Sequence, residues 1–163
     1  VGEIVPVSCR RCVVKLDPKK EESKLRRWNT ISESAAKQSK RIVIPEVTGV
    51  MSVKEALAYA ADFDLKLLPY ENARGMAATK EQVEAVRPGA GGMALTRELI
   101  GSLKPGQKLS IFIGPEGGFE ETEVEEARAA GFYPVSLGKR ILRTETAGLT
   151  MLSILMYQME TAK

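Results

Sequence analysis

At 163 residues the chain has the size of one ordinary domain, long enough to bury a real core. Its 44% hydrophobic and 28% charged residues fit a soluble globular protein; no apolar run approaches the roughly 18 residues of a membrane helix, and no signal peptide is visible. The expectation is a protein of the cell interior, cytoplasmic, with no membrane partner. Net charge is only +3, yet residues 1–41 hold eleven Lys/Arg against five Asp/Glu, a basic end that suits a polyanionic partner or a solvated helix face.

Ile4-Val5-Pro6-Val7 reads as a short apolar strand. Cys9 and Cys12 follow it as a C-x-x-C, but zinc needs four ligands and the chain has no His and no other Cys. A thioredoxin-like pair starts a helix, whereas this one follows a strand, so neither a metal nor redox chemistry is expected. The lack of His also removes Ser-His and Cys-His triads. From Lys19 to Ser39 the residues Leu25, Trp28, Ile31 and Ala35 recur at helical spacing and predict a core-facing stripe. Ile42-Val43-Ile44-Pro45 suggests a short extended piece. Ser52 and Glu55 form a capping-box pattern that opens a helix to Ala61, and Leu65–Leu68 reads as a strand ending in the loop Pro69-Tyr70-Glu71.

Residues 72–94 are rich in Gly and Ala and predict an irregular connection with a short helix near 79–86. A further helix at 95–102 stops at Lys104-Pro105-Gly106. Residues 109–113 carry four apolar side chains in five positions, a buried strand, halted by Gly114-Pro115-Glu116-Gly117-Gly118. Glu120 to Ala130 is helical, with acids in its first turn where the helix dipole favours them and Gly131 as its stop. Tyr133–Leu137 is the last strand; Pro134 places it at a sheet edge or marks its beginning. A basic loop with Lys139, Arg140 and Arg143 leads to a final helix from about Thr146 to Met159, apolar nearly all round and thus expected to be buried on two sides, by its own sheet and a partner subunit.

Strands alternating with helices predict an α/β fold, a mostly parallel sheet with helices on both faces. Ligands bind such sheets outside the carboxyl ends of the strands. Three loops follow strands here, at 69–72, 114–119 and 138–145, and converge on one rim if their strands are neighbours. The glycine turn lacks the Lys-Ser/Thr of a P-loop and the spacing of a dinucleotide fingerprint.

Ile113-Gly114-Pro115-Glu116-Gly117-Gly118-Phe119, followed by Leu137-Gly138-x-Arg140-Ile141-Leu142-Arg143-x-Glu145-Thr146-Ala147, resembles the RsmE-type 16S ribosomal RNA uridine-N3 methyltransferases of the SPOUT superfamily. Arg10-x-x-Val13-x-Lys15, Arg27-Trp28-x-x-Ile31, Ala35-Ala36-x-Gln38-Ser39-x-Arg41 and Pro45-Glu46 follow the same pattern, so the resemblance spans essentially the whole chain. It implies one methyltransferase domain over residues 1–163, with a deep C-terminal trefoil knot. The family also carries an N-terminal PUA-like β-barrel and a first strand and helix, which the resemblance places ahead of this sequence.

The implied cofactor is S-adenosylmethionine, held mostly by backbone groups of three loops. These are Leu68, Pro69, Tyr70 and Glu71; Ile113, Gly114, Pro115, Glu116, Gly117 and Gly118; and Leu137, Gly138, Ile141, Leu142, Arg143, Thr146 and Ala147. The implied partners are 16S ribosomal RNA in the small subunit and a second copy of the chain. Arg143 is the candidate for holding the uracil, since a guanidinium stays charged and donates bidentately. Glu145 is a candidate base or a group that orients Arg143, and Glu116 is a second candidate base. Arg41, Lys139 and Arg140 are the candidates for RNA phosphates. The alternatives are a related knotted enzyme acting on another RNA, or a non-catalytic RNA-binding and dimerisation module.

Overall fold

The computed structural model of the chain describes residues 1–14, 17–70 and 92–161. Its elements run β1 (Glu3–Ile4), β2 (Val7–Ser8), α1 (Pro18–Gln38), β3 (Glu46–Val47), β4 (Met51–Ser52), α2 (Val53–Tyr59), β5 (Leu65–Pro69), α3 (Met93–Gly101), β6 (Leu109–Ile111), α4 (Glu121–Ala129), β7 (Tyr133–Val135) and α5 (Thr144–Thr161). Every ladder among the described residues is parallel: β1 with β3, β2 with β4, and a three-stranded sheet in the order β6-β5-β7. The α/β architecture is as expected, but the strands form three ladders rather than one sheet. The helix expected at 79–86 lies outside the described residues.

Local chemistry explains most boundaries. Pro6 has no N–H, so the strand expected over 4–7 is split in two, although the Pro6 carbonyl still accepts from the Met51 amide at 2.9 Å. Ile42–Pro45 forms bends, and the ladder starts only at Glu46. Asp17 caps α1 by accepting from the Lys20 amide at 2.9 Å, with Pro18 in the first turn. Ser52 and Glu55 close the expected capping box on α2. Helix α4 ends as predicted: Gly131 takes φ +85°, its amide donates to Arg128 O and the Phe132 amide to Ala127 O, both at 2.9 Å. Among the described residues β7 pairs only with β5, so Pro134 does sit on an edge strand.

Strand β5 is the centre of the core because successive side chains point to opposite faces. Leu65 and Leu67 pack with Leu95, Leu99 and Ile100 of α3 and Met151 and Leu155 of α5. Leu68 packs on the other face with Val53 and Leu57 of α2, Val124 of α4, and Phe112, Phe119 and Phe132. Leu67 and Leu68 are both fully buried. Burial on this scale contributes about 1.5–3 kcal/mol for each such side chain.

Two helices depart from expectation. The buried residues of α1 are Ser32 and Ala36, while Ile31 and Ala35 face solvent and Trp28 is half-buried. Polar groups win the inner face because β3 and the residue before it offer backbone partners: Asn29 Nδ2 donates to Val47 O, the Val47 amide donates to Asn29 Oδ1, and Ser32 Oγ donates to Pro45 O at 2.6 Å. Helix α5 buries Met151 and Leu155 but exposes Leu149, Met156 and Tyr157, so within one chain it is covered on one side only. No helix among the described residues is long and apolar enough to cross a membrane.

Candidate functional site

The three strands of the β6-β5-β7 sheet release their chains at a common edge. The Phe112 amide donates to Leu67 O at 2.9 Å and the Tyr70 amide to Val135 O at 3.1 Å, so the ladders run to the strand ends. Pro69 closes β5, and beyond the strands lie Tyr70, Ile113–Gly118 and Leu137–Leu142. The convergence expected from the sequence is therefore present, with Glu71 outside the described residues.

Glycine has a physical task at two points on this rim. At Gly114 an added Cβ would stand 2.9 Å from Phe119 Cε2, so the loop can lie on that buried ring only without a side chain. At Gly138 the backbone has φ +128°, a conformation that L side chains rarely adopt, and the space around its Cβ position is open to 4 Å. The loop around Gly138 is anchored from below: the Ser136 amide donates to Thr96 Oγ1 at 3.1 Å, and the Gly138 amide to Ser136 Oγ at 3.3 Å. In the glycine turn the Gly118 amide donates to Pro115 O at 2.9 Å, and Glu116 and Gly117 project to solvent.

Helix α5 begins at Thr144, two residues earlier than expected, so Glu145, Thr146 and Ala147 lie in its first turn and Arg143 directly precedes it. The Ala147 amide donates to Arg143 O at 2.8 Å. Gly148 stands against Ile113, its Cβ position 4.0 Å from Ile113 Cγ1, which brings the start of α5 beside the β6 loop. Arg143 and Glu145 are both exposed, and neither forms an ion pair among the described residues. Residues two apart on a helix do not face each other. Lys139 and Arg140 are exposed on the same rim. Arg41 is elsewhere: its Nη2 donates to Val1 O at 2.7 Å, ahead of β1, while the far end of that segment reaches the rim.

That far end holds residues the sequence reading left out of the site. After β2 the Cys9–Cys12 turn packs against the glycine loop, and Arg11 Nη1 donates to Gly117 O at 3.3 Å. Arg10 Nη1 meets Glu120 Oε2 at 3.2 Å, and the Arg10 amide donates to Glu123 Oε1 at 2.8 Å. Arg10 and Arg11 were visible as basic residues at a strand's carboxyl end. Glu123 was visible only as the third residue after Glu120, and nothing in the sequence joins it to Arg10.

The two cysteines have different surroundings. Burial first, then Cys12 and Glu123, push the Cys9 thiol from 9.0 up to about 12, whereas Cys12 is only half-buried. We expect alkylation at about pH 8 to modify Cys12 ahead of Cys9 in the native chain, and both alike in urea, read by peptide mass spectrometry. The same raised pKa makes the folded state lose stability as pH rises from the unfolded value toward about 12, since the unfolded thiol ionises first. Equal modification of both native thiols would contradict this burial. Among the described residues no three His, Cys, Asp or Glu side chains gather into a metal-holding group.

A cavity of about 1110 Å³ runs along the edge of β6 remote from β5, between β6 and the β1–β2 segment, with Leu152 and Met156 of α5 on its wall. It reaches Ile113–Glu116 and Thr144 but not Leu68–Tyr70 or Leu137–Leu142, so it is a space beside β6 rather than the rim.

Residues 1–156 match the family described as RNA methyltransferase domain. Ribosomal RNA small subunit methyltransferase E of Bacillus subtilis is 38% identical over 158 residues, which are 96% of this chain and 56% of that protein. A crystal structure of the Neisseria gonorrhoeae protein of that name, bound to S-adenosyl methionine, superposes with a TM-score of 0.70 at 29% identity, covering 98% of this chain and 56% of the other. A Legionella pneumophila methyltransferase in complex with its cofactor SAM gives a TM-score of 0.76 at 30% identity, over 96% and 55%. The chain thus spans little more than half the length of these relatives.

Proposed function

We propose, from the premise that this chain belongs to the RNA methyltransferase domain family, that it carries the S-adenosylmethionine-dependent methylation of uridine N3 in 16S ribosomal RNA. The observation that carries the reading is the single rim at which three parallel strands release the glycine turn, the positive-φ Gly138 and the basic loop. The relatives named above supply the chemistry: two are crystallised with this cofactor and two are named for ribosomal RNA methylation.

The rim fits such a cofactor. At Gly138 no side chain stands between the rim and a ligand, while Leu137 and Leu142, both partly exposed, provide apolar contact. When bound, S-adenosylmethionine supplies a methyl group already activated as an electrophile. The protein then has to orient the uracil and favour loss of its N3 proton. In our reading the main chain of Arg143 belongs to the cofactor rim, and its exposed guanidinium holds the uracil and the negative charge that develops on it. Glu145 or Glu116 accepts the proton. Lys139 and Arg140 take phosphates beside the site, and Arg41 takes them at a distance from it.

Two further features belong to the proposal: the C-terminal segment threads into a trefoil knot, and the chain works as a homodimer inside the cytoplasm. The exposed Leu149, Met156 and Tyr157 of α5 support the dimer, because they continue an apolar helix past its buried face. The domain reading, one methyltransferase domain over residues 1–163, is part of the same proposal.

The test is calorimetric titration of the chain with S-adenosylhomocysteine beside a Gly117→Trp variant. A Cβ at Gly117 already stands 3.2 Å from Arg11 Cβ, so an indole there displaces the turn. Saturable binding in the parent, lost in a variant that still melts cooperatively, is the expected result. A folded parent that gives no binding heat would favour the non-catalytic module.

A further inference from the structure

We propose that Glu123 is a positioning residue for the glycine loop: its buried carboxylate locks the Cys9–Cys12 turn to the start of α4 and thereby fixes the backbone of Gly117. The proposal rests on the reading of the rim as a cofactor site and adds to it a residue outside every loop assigned to that site.

Glu123 is only 3% exposed, although it lies in the first turn of a helix, where a capping carboxylate ordinarily faces water. One oxygen, Oε2, accepts the Glu120 amide at 2.9 Å and completes the capping box. That bond needs no burial. The other oxygen, Oε1, accepts the Arg10 amide at 2.8 Å, from a segment 113 residues away. No Lys or Arg pairs with Glu123 among the described residues, so both oxygens are committed to backbone N–H groups.

The consequence reaches Gly117 through the next residue of the turn. With the Arg10 backbone fixed, Arg11 is set so that Nη1 donates to Gly117 O at 3.3 Å and Cβ stands 3.2 Å from the Cβ position of Gly117. Arg11 Nε lies 3.9 Å from Glu120 Oε1, and Arg10 Nη1 is 3.2 Å from Glu120 Oε2, which closes the ring of contacts on the solvent side. These outer pairs are more than a third exposed and contribute little alone. The buried acceptor is the costly one to disturb, because losing it leaves amide donors without partners.

Glu123→Gln tests this nearly isosterically, since its NH2 group cannot accept the second amide. We expect S-adenosylhomocysteine affinity to fall about tenfold. We also expect amide hydrogen exchange to accelerate together at Gly117–Gly118 and at Cys9–Cys12. Ser52→Ala, which breaks the matching capping box of α2, serves as a control for lost stability and should leave both readouts at parent values. Unchanged affinity in Glu123→Gln overturns the proposal, as does weakened affinity with unchanged exchange at Gly117–Gly118. If the parent itself binds no S-adenosylhomocysteine, the cofactor reading has failed instead. The exchange comparison then decides separately whether Glu123 holds the loop.

Discussion

Gly114→Leu should abolish S-adenosylhomocysteine binding and lower the thermal midpoint, with Gly114→Ala falling between the two. The reason is a contact already at its limit. A Cβ at Gly114 stands 2.9 Å from Phe119 Cε2 and 3.0 Å from Cδ2, closer than side chains approach. The Phe119 ring has little room to retreat, being 4% exposed and edge-on to Phe112 with centroids 5.0 Å apart. Phe112 in turn meets Phe132 at 6.0 Å. Overpacking such a cluster costs about 1–3 kcal/mol, and lifting the loop instead removes the rim's main chain from its place. Gly138→Ala makes the opposite comparison: its cost is a left-handed backbone, about 1–2 kcal/mol, with open space around the new methyl. Calorimetry and melting on the three variants separate clash from strain. A Gly114→Leu chain that binds like the parent would mean that the glycine turn does not form the site.

What could be read from the sequence was whatever short-range chemistry decides. The Ser52–Glu55 box and the Gly131 stop depend on neighbours within a few residues, and each is found in the structure. The shared rim needed one more step, that β5, β6 and β7 be adjacent, and their parallel pairing supplies it. The inner face of α1 was not legible because hydropathy ranks Ile31 above Ser32. The contest was settled by the carbonyl of Pro45 and the backbone of Val47, which only folding brings to the helix. The Glu123–Arg10 bond joins residues 113 apart, and no local pattern marks it.

Arg143 carries the largest expected effect on chemistry. Arg143→Met should lower methyl incorporation into 16S ribosomal RNA by about 10²–10³, the usual loss when a group aimed at developing charge is removed. Affinity for S-adenosylhomocysteine should change little, because only the main chain of Arg143 is assigned to the cofactor rim. The side chain is available for this role: it is exposed at the entry to α5, beside Lys139 and Arg140, and unpaired with Glu145 among the described residues. Methylation at N3 requires that proton to leave, its electron pair to attack the methyl carbon, and the carbon–sulfur bond to break toward sulfur. A guanidinium lowers the cost of the uracil anion; without it the N3 proton is held more tightly, and a larger share of the anion forms only as hydroxide becomes available. The Arg143→Met rate should therefore climb with pH and recover part of its loss in alkali, whereas Glu145→Gln should show that slope only if Glu145 is the base. Arg143→Lys separates charge from geometry, since an ammonium keeps the charge and loses the bidentate fork. A loss in Arg143→Met that is the same at every pH would assign the side chain to docking RNA rather than to the reacting base.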